Sequence, residues 1–297
     1  MQNNRDIWVV IFDDNEELFL LKKQIESLIL FKNTLTYNII INADNVRNVR
    51  KKMKKIGILN LLETAKFSYN VFSKFNFLKQ TEQYTTQKRD GYISQQLLKL
   101  QIYRRSYAKE HLILDSKTII LNPLAITIDE PNRDISRPIN FFACYEYFIN
   151  KWHNGNIIST KGTATPFLFK NNILESLEIY FKSRTAYINE LTQSFYISSK
   201  HIKQLALRKN KNYVDKGDCL SEFLIYNLFE QKINPRYVPT RKKPSLIRLY
   251  QNDDRIQLKD FIIEADVLLF HRKFVKKIGI ERAEEIIDTY LSIANEK

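Results

Sequence analysis

The chain opens with a strand-helix-strand-helix alternation, and that order restricts its fold more than any other feature. Ile7 to Phe12 is an apolar run with β-branched residues that stops at Asp13-Asp14. Such a run reads as a buried strand. Asp14 is placed to cap the next helix, with Glu17 three positions on to complete a capping box. Leu18, Leu21, Ile25 and Leu28 then repeat at helical spacing. Tyr37 to Ile41 is a second strand, closed by Asn42-Ala43-Asp44. Val46, Val49 and Met53 mark one face of a helix otherwise rich in Arg and Lys. Strands alternating with helices argue an α/β fold with a mostly parallel central sheet flanked by helices. No glycine-rich loop follows the first strand, which speaks against a P-loop and against the usual dinucleotide fold.

The same logic singles out residues 91 to 123. Ser94 to Leu100 reads as a helix on which Gln95, Gln96 and Lys99 can share one face, either to hold a phosphate or sugar hydroxyls near Asp115 or simply as a solvent-exposed face. Leu112-Ile113-Leu114 then runs straight into Asp115, and Thr118 to Leu121 stops at Asn122-Pro123. A carboxylate ending a buried strand sits where open α/β sheets bind ligands. The alternative is a turn aspartate between hairpin strands. Asp13 and Asp14 carry the same two readings, as helix caps or as contacts to a base or ribose. Between these units, residues 58 to 90 show no single period, and Tyr84 to Gly91 reads as a polar loop.

The second half continues the alternation more loosely. Phe141 to Tyr145 is a short strand candidate, and Trp152 to Gly155 a turn. Thr165-Pro166-Phe167-Leu168-Phe169 leads into a helix over Ile173 to Phe181. Asp218 is a cap for a helix over Cys219 to Glu230, which presents Glu222 early and Tyr226 later. Leu246 to Leu249 and Val267 to Phe270 are late strands, and Glu281 to Ala294 an amphipathic helix.

Charge and composition narrow the function classes. The formal net charge is +14, densest over Arg47 to Lys55, Lys200 to Lys211 and Arg241 to Lys243. That favours nucleic acid, an anionic membrane face or a phosphorylated ligand. Nucleic-acid binding is the competing class, with tyrosines to stack bases. No zinc finger, helix-turn-helix or aromatic RNA-binding signature occurs, so no specific nucleic acid is expected. The two cysteines, Cys144 and Cys219, lie too far apart for a disulfide scaffold or a thiolate metal site. The histidines are His111, His153, His201 and His271, and none forms a short-spaced metal pair. His271 follows Leu268-Leu269-Phe270 and could end a strand near a site. No nucleophile elbow is present. No apolar run is long enough to span a bilayer, so a cytoplasmic location is expected.

Three ordered blocks resemble the bacterial glycosyltransferase-like proteins of the DUF6492 type. The first is Gly91, Tyr92, Gln95, Gln96, Lys99 and Leu100, followed by the strand that ends at Asp115. The second is Thr165-Pro166-Phe167, and the third is Ser221-Glu222-Phe223 with Tyr226. With the N-terminal unit they cover most of residues 5 to 230. The resemblance implies a single GT-A-like nucleotide-sugar transferase domain over residues 1–297, with a nucleotide-binding half to about residue 123 and an acceptor-side half beyond it. It implies a nucleotide-sugar donor and a saccharide or lipid-linked saccharide acceptor, in cell-surface polysaccharide synthesis. Basic clusters would then hold the protein peripherally against an anionic membrane. On that reading Asp13, Asp14, Gln95, Gln96, Lys99 and Lys117 serve the donor. Thr165 and Tyr226 line the acceptor side of the cleft. Glu222 is the candidate base and Asp115 its catalytic partner.

The departures bear on metal use. The family's Asp-x-Asp is Asp115-Ser116-Lys117 here, and the histidine before Pro166 is Thr165. An ammonium is not a cation ligand. Mn2+ or Mg2+ on Asp115, with His271 as a second ligand, is one expectation. Metal-independent transfer with Lys117 beside the phosphates is another, and an inactive relative is the third.

Overall fold

The computed structural model describes residues 4–78, 90–123, 165–195, 221–234, 246–249 and 265–296. The fold is α/β, with a mostly parallel central sheet. Its strands are β1 (Arg5–Ile11), β2 (Thr36–Ile41), β3 (Tyr69–Ser73), β4 (Glu110–Leu114) and β6 (Phe167–Lys170), in the order β3-β2-β1-β4-β6. Only β6 runs antiparallel, with Ile113 opposite Phe167. β1 is central, with Ile7 opposite both Tyr37 on β2 and Leu112 on β4.

The helices form two layers because successive strand residues point to opposite faces. Ile7, Val9 and Ile11 face the layer made by α1 (Asn15–Leu30), α2 (Val46–Lys55) and α3 (Ile58–Thr64). Trp8 and Val10 face α4 (Asp90–Leu100), α5 (Asn171–Tyr180) and α6 (Glu222–Ile233). The side chains that meet β1 from α1 are Leu18, Leu21, Ile25 and Leu28, the residues that set its helical period.

A smaller sheet lies outside α1. It contains β5 (Thr118–Ile120), β7 (Leu246–Leu249) and β8 (Val267–Phe270), ordered β5-β8-β7. Phe19 and Leu20, on the outer side of α1, pack with this sheet, with α7 (Arg272–Ile278) and with α8 (Ile280–Asn295). The core therefore continues through α1 rather than stopping at it.

Several expectations need adjustment. Residues 58 to 73 hold a short helix and the edge strand β3, which the sequence did not separate. Asp90 and Gly91, read as loop, begin α4. The helix expected over Cys219 to Glu230 begins at Glu222 and runs to Ile233. β4 and β5 are not a hairpin, since they belong to different sheets. The strand at Phe141 to Tyr145, the turn at Trp152 to Gly155, the cap at Asp218, His153, His201 and the basic clusters beyond residue 196 lie outside the described residues. The two halves also interlock, because β6 joins the main sheet and β8 pairs with β5.

Candidate functional site

The strand order places the site. The chain leaves β1 toward β2 and β3, then returns to the other side of β1 as β4. The crevice outside the carboxyl ends of β1 and β4 is thus a topological switch point, where open α/β sheets bind ligands. β1 delivers Phe12, Asp13 and Asp14 there, and β4 delivers Asp115. The start of α4 closes in from above. A side chain at Gly91 would begin 3.0 Å from the Phe12 ring, so the helix start packs closely on the end of β1. Asn42, at the end of β2, donates to the Gly91 carbonyl at 3.0 Å.

Asp115 is the centre of an ion cluster. Its Oδ1 is 2.8 Å from Lys99 Nζ, and its Oδ2 is 3.2 Å from Lys117 Nζ. Lys99 also reaches Glu222 Oε1 at 2.8 Å and lies 4.9 Å from the centre of the Phe223 ring. Thr165 Oγ1 is 3.4 Å from Asp115 Oδ2. Gln96 Oε1 accepts from the Glu222 backbone N–H at 3.0 Å, which fixes the start of α6 against α4. The side chains of Lys99 and Glu222 are 4% and 2% exposed, whereas Asp115 is 19% and Lys117 37% exposed. The cluster is closed at its base and open at its top.

Electrostatics follow from this arrangement. Burial alone would push the Asp115 carboxyl up, but Lys99 and Lys117 outweigh it and hold the group well below the usual carboxylate range. Burial opposes the Lys99 charge too, and Asp115 and Glu222 overcome that penalty and raise its pKa. At Glu222 burial wins over the single ammonium, and its pKa is raised.

A second group of charges borders the first. Arg272 Nη1 lies 3.6 Å from Asp14 Oδ2 and 3.7 Å from Glu17 Oε2, and Lys276 reaches Asp14 at 3.5 Å. His271 caps α7 by accepting from the Lys273 N–H at Nδ1, 3.2 Å. Burial, then the nearby Lys117, Lys273 and Arg272, push His271 down to about 4, so its ring is neutral near pH 7. Glu17 is buried, accepts from Ser116 Oγ at 3.1 Å, and is pushed up to about 7, chiefly by that burial.

The sequence candidates divide accordingly. Asp115, Lys99, Lys117, Gln96, Thr165 and Glu222 come together, and Gln95 is half-buried on the same helix. Lys99 was expected to meet a diphosphate, yet its charge is taken by two carboxylates beneath the surface. Glu222 begins its helix as expected, but its carboxylate is buried against Lys99 instead of facing an acceptor. Tyr226 is a correction. It is 1% exposed among Phe167 and Phe169, and its hydroxyl accepts from the Lys170 N–H at 3.0 Å, so it belongs to the core. Asp13 sits at the crevice end of β1 and pairs with Lys52 at 2.6 Å and with Asn48 at 3.0 Å. Asp14 does cap α1, accepting from the Glu17 N–H at 3.1 Å. The Glu17 carboxylate, expected to complete a capping box, turns to Ser116 instead.

Sequence reasoning missed Glu17, Gln24, Ser116 and Arg272. A signal existed for Gln24, a polar residue between the apolar positions Leu21, Ile25 and Leu28.

No family model matches the chain, and no curated protein matches it. Among solved structures it is similar to the galactosyltransferase LgtC in complex with donor and acceptor sugar analogues. That match has 10% identity, covers 96% of this chain and 95% of the other, and has a TM-score of 0.41. It is similar to the glycosyltransferase GlyE of Streptococcus pneumoniae TIGR4 at 13% identity, over 77% of this chain and 44% of that one, with a TM-score of 0.36. For residues 1–349 of TarS from S. aureus the identity is 11%, the coverage 97% and 90%, and the TM-score 0.30.

Proposed function

We propose that the protein transfers a sugar from a nucleotide-sugar donor to a saccharide or lipid-linked saccharide acceptor, in cell-surface polysaccharide synthesis. One observation carries this reading: the switch-point crevice ends in an open Asp115–Lys117 pair standing on a buried Lys99–Glu222 pair. Such a crevice suits a nucleotide, and an exposed ammonium beside it suits a diphosphate. The DUF6492-type resemblance of the three sequence blocks is in keeping with it.

In the reaction, the bond from the anomeric carbon to the diphosphate breaks, its electron pair leaving with the diphosphate, as the acceptor oxygen bonds to that carbon and the acceptor hydroxyl proton passes to the departing diphosphate or to water. Negative charge develops on the leaving diphosphate and must be stabilised. Lys117 is the group for that task. Asp115 orients Lys117 and accepts from donor hydroxyls. Glu222 acts through Lys99, holding it under Asp115.

The donor set does not suit a divalent cation on Asp115. Both carboxylate oxygens already face ammonium groups, at 2.8 and 3.2 Å, and Lys117 stands where a second carboxylate would be needed. His271 has Nδ1 engaged with the α7 backbone. Metal-independent transfer is therefore the reading we adopt. The test is calorimetry with UDP, GDP, CDP and dTDP sugars, in chelator and then in manganese. Binding in chelator is expected. Absence of binding to every donor by the folded protein would overturn the transferase reading.

A further inference from the structure

We propose that Gln24, in the interior of α1, is a positioning residue that sets the Asp115–Thr118 turn and so aims Lys117 at the donor phosphates. The aim at phosphates rests on the transferase reading. The clamp itself rests on geometry alone.

Gln24 is fully buried. Its Nε2 donates to the Asp115 carbonyl at 2.7 Å and to the Thr118 carbonyl at 2.8 Å. Both amide hydrogens are thus used on the two ends of one turn. Its Oε1 accepts from Tyr37 Oη at 2.5 Å, which fixes which end of the amide faces the turn. The turn closes on itself through the Thr118 N–H to the Asp115 carbonyl, at 2.8 Å.

The residues between those anchors are held as well. Ser116 Oγ donates to Glu17 Oε1, two helical turns before Gln24 on the same helix. The Lys117 carbonyl accepts from the Phe270 N–H at 2.9 Å. Of the four turn side chains Lys117 is the most exposed, at 37%, against 19% for Asp115, and Ser116 and Thr118 are buried. A turn fixed at its carbonyls leaves that ammonium little freedom to wander, and such preorganisation is what a charge-stabilising group requires. Ser27 is a comparator on the same helix. It is equally buried, but its Oγ accepts from the Ile120 N–H at 3.1 Å, within β5 and past the turn.

The test compares Gln24→Met, which keeps volume but removes both donors, with Ser27→Ala and with the conservative Tyr37→Phe. Calorimetry in chelator would use the nucleoside diphosphate that the unmodified protein binds best and the matching nucleoside. Gln24→Met is expected to weaken the diphosphate about tenfold, the worth of one charge-assisted contact. Nucleoside affinity should stay unchanged. Ser27→Ala should change neither ligand, and Tyr37→Phe should fall between. Equal losses for both ligands, or the same loss in Ser27→Ala, would reduce Gln24 to a packing role and overturn the proposal. Hydrogen exchange at the Ser116, Lys117 and Thr118 amides separates the two ideas. If no nucleotide binds the unmodified protein, the transferase reading fails. The clamp then stands if Gln24→Met speeds exchange at those amides while leaving β1 protected, and falls if the turn stays as protected as before.

Discussion

β1 and β4 carry a buried polar network at each end, and the two networks differ in kind. At the amino end, Asp6 Oδ1 lies 2.8 Å from His111 Nδ1, and Asp6 Oδ2 accepts from Ser106 Oγ at 2.6 Å. His111 Nε2 lies 2.8 Å from Asn171 Oδ1. His111 is 0% and Asp6 6% exposed, so the centre of this network is sealed, with Ser106 and Asn171 half-buried at its margin. At the carboxyl end, the Lys99–Glu222 pair is equally deep, but Asp115 and Lys117 rise from it to solvent. Every polar atom of a sealed network is satisfied by the protein, and its return is a fixed geometry. A network that opens at one side keeps hydrogen-bonding capacity for a ligand. The difference teaches that burial of charge alone does not mark the site. The exposure gradient within the cluster is what singles out the candidate.

The largest effect should come from Lys99→Met. It leaves the Asp115 and Glu222 carboxylates without their shared ammonium, and breaking a buried pair by removing one partner costs about 3–5 kcal/mol. Urea unfolding should show that loss, and adding Glu222→Gln should recover part of it. If Lys99→Met is as stable as the original, the base of the open network is not what holds it.

Next is His111→Phe at the sealed end. It deprives Asp6 and Asn171 of a partner, and an unsatisfied buried group costs about 1–3 kcal/mol. Nucleotide binding should be unchanged by calorimetry, since this end lies across the sheet from the crevice. A loss of binding without a loss of stability would erase the contrast between the two ends.

Lys117→Ala reverses that pattern. A half-exposed ion pair contributes at most about 1 kcal/mol to stability, so the unfolding midpoint should barely move. Diphosphate affinity in chelator should fall about tenfold. Lys117→Asp should make binding depend on manganese, by supplying the missing second carboxylate. Strict metal dependence of the unmodified protein, unaltered in Lys117→Ala, would show that Lys117 does not stand in for a cation.

The net effect of pH is the smallest in the unmodified protein, because two groups beside the open end pull stability in opposite directions. Glu17 is raised from 4.5 to about 7, so between those values the folded state binds more protons than the unfolded one. Its contribution to stability is present below 4.5 and is lost as pH rises through 7. His271 is lowered from 6.5 to about 4, so its contribution is present above 6.5 and is lost as pH falls through 4. The two oppose each other between about 4.5 and 6.5. Glu17→Gln should therefore leave stability rising with pH across that window, and His271→Asn should leave it falling. Unfolding titrations of both variants check the signs, and identical slopes would show that neither group titrates as its surroundings dictate.

Much of the fold was legible because its signals are local. The apolar run of β1, the helical period of α1 and the strand before Asp115 each lie within one element. The edge strand β3 was not legible, since Tyr69 to Ser73 is mostly half-buried, shows no two-residue alternation of apolar and polar side chains, and lies close to two short helices. Asp115 and Glu222 could be singled out by strand-end and helix-start position. Their meeting at Lys99 could not, because more than a hundred residues separate Lys99 from Glu222.

By itself the sequence determined the alternation, the parallel character of the sheet and the strand end that carries Asp115. These follow from side-chain periodicity and helix capping, which act over a few residues. Only the tertiary structure decided that Lys99 is buried, that Tyr226 is core, and that Glu17 and Gln24 reach the Asp115–Thr118 turn. Those outcomes depend on which distant groups share a low-dielectric space, and a charge or an amide takes its role from the partner it finds there.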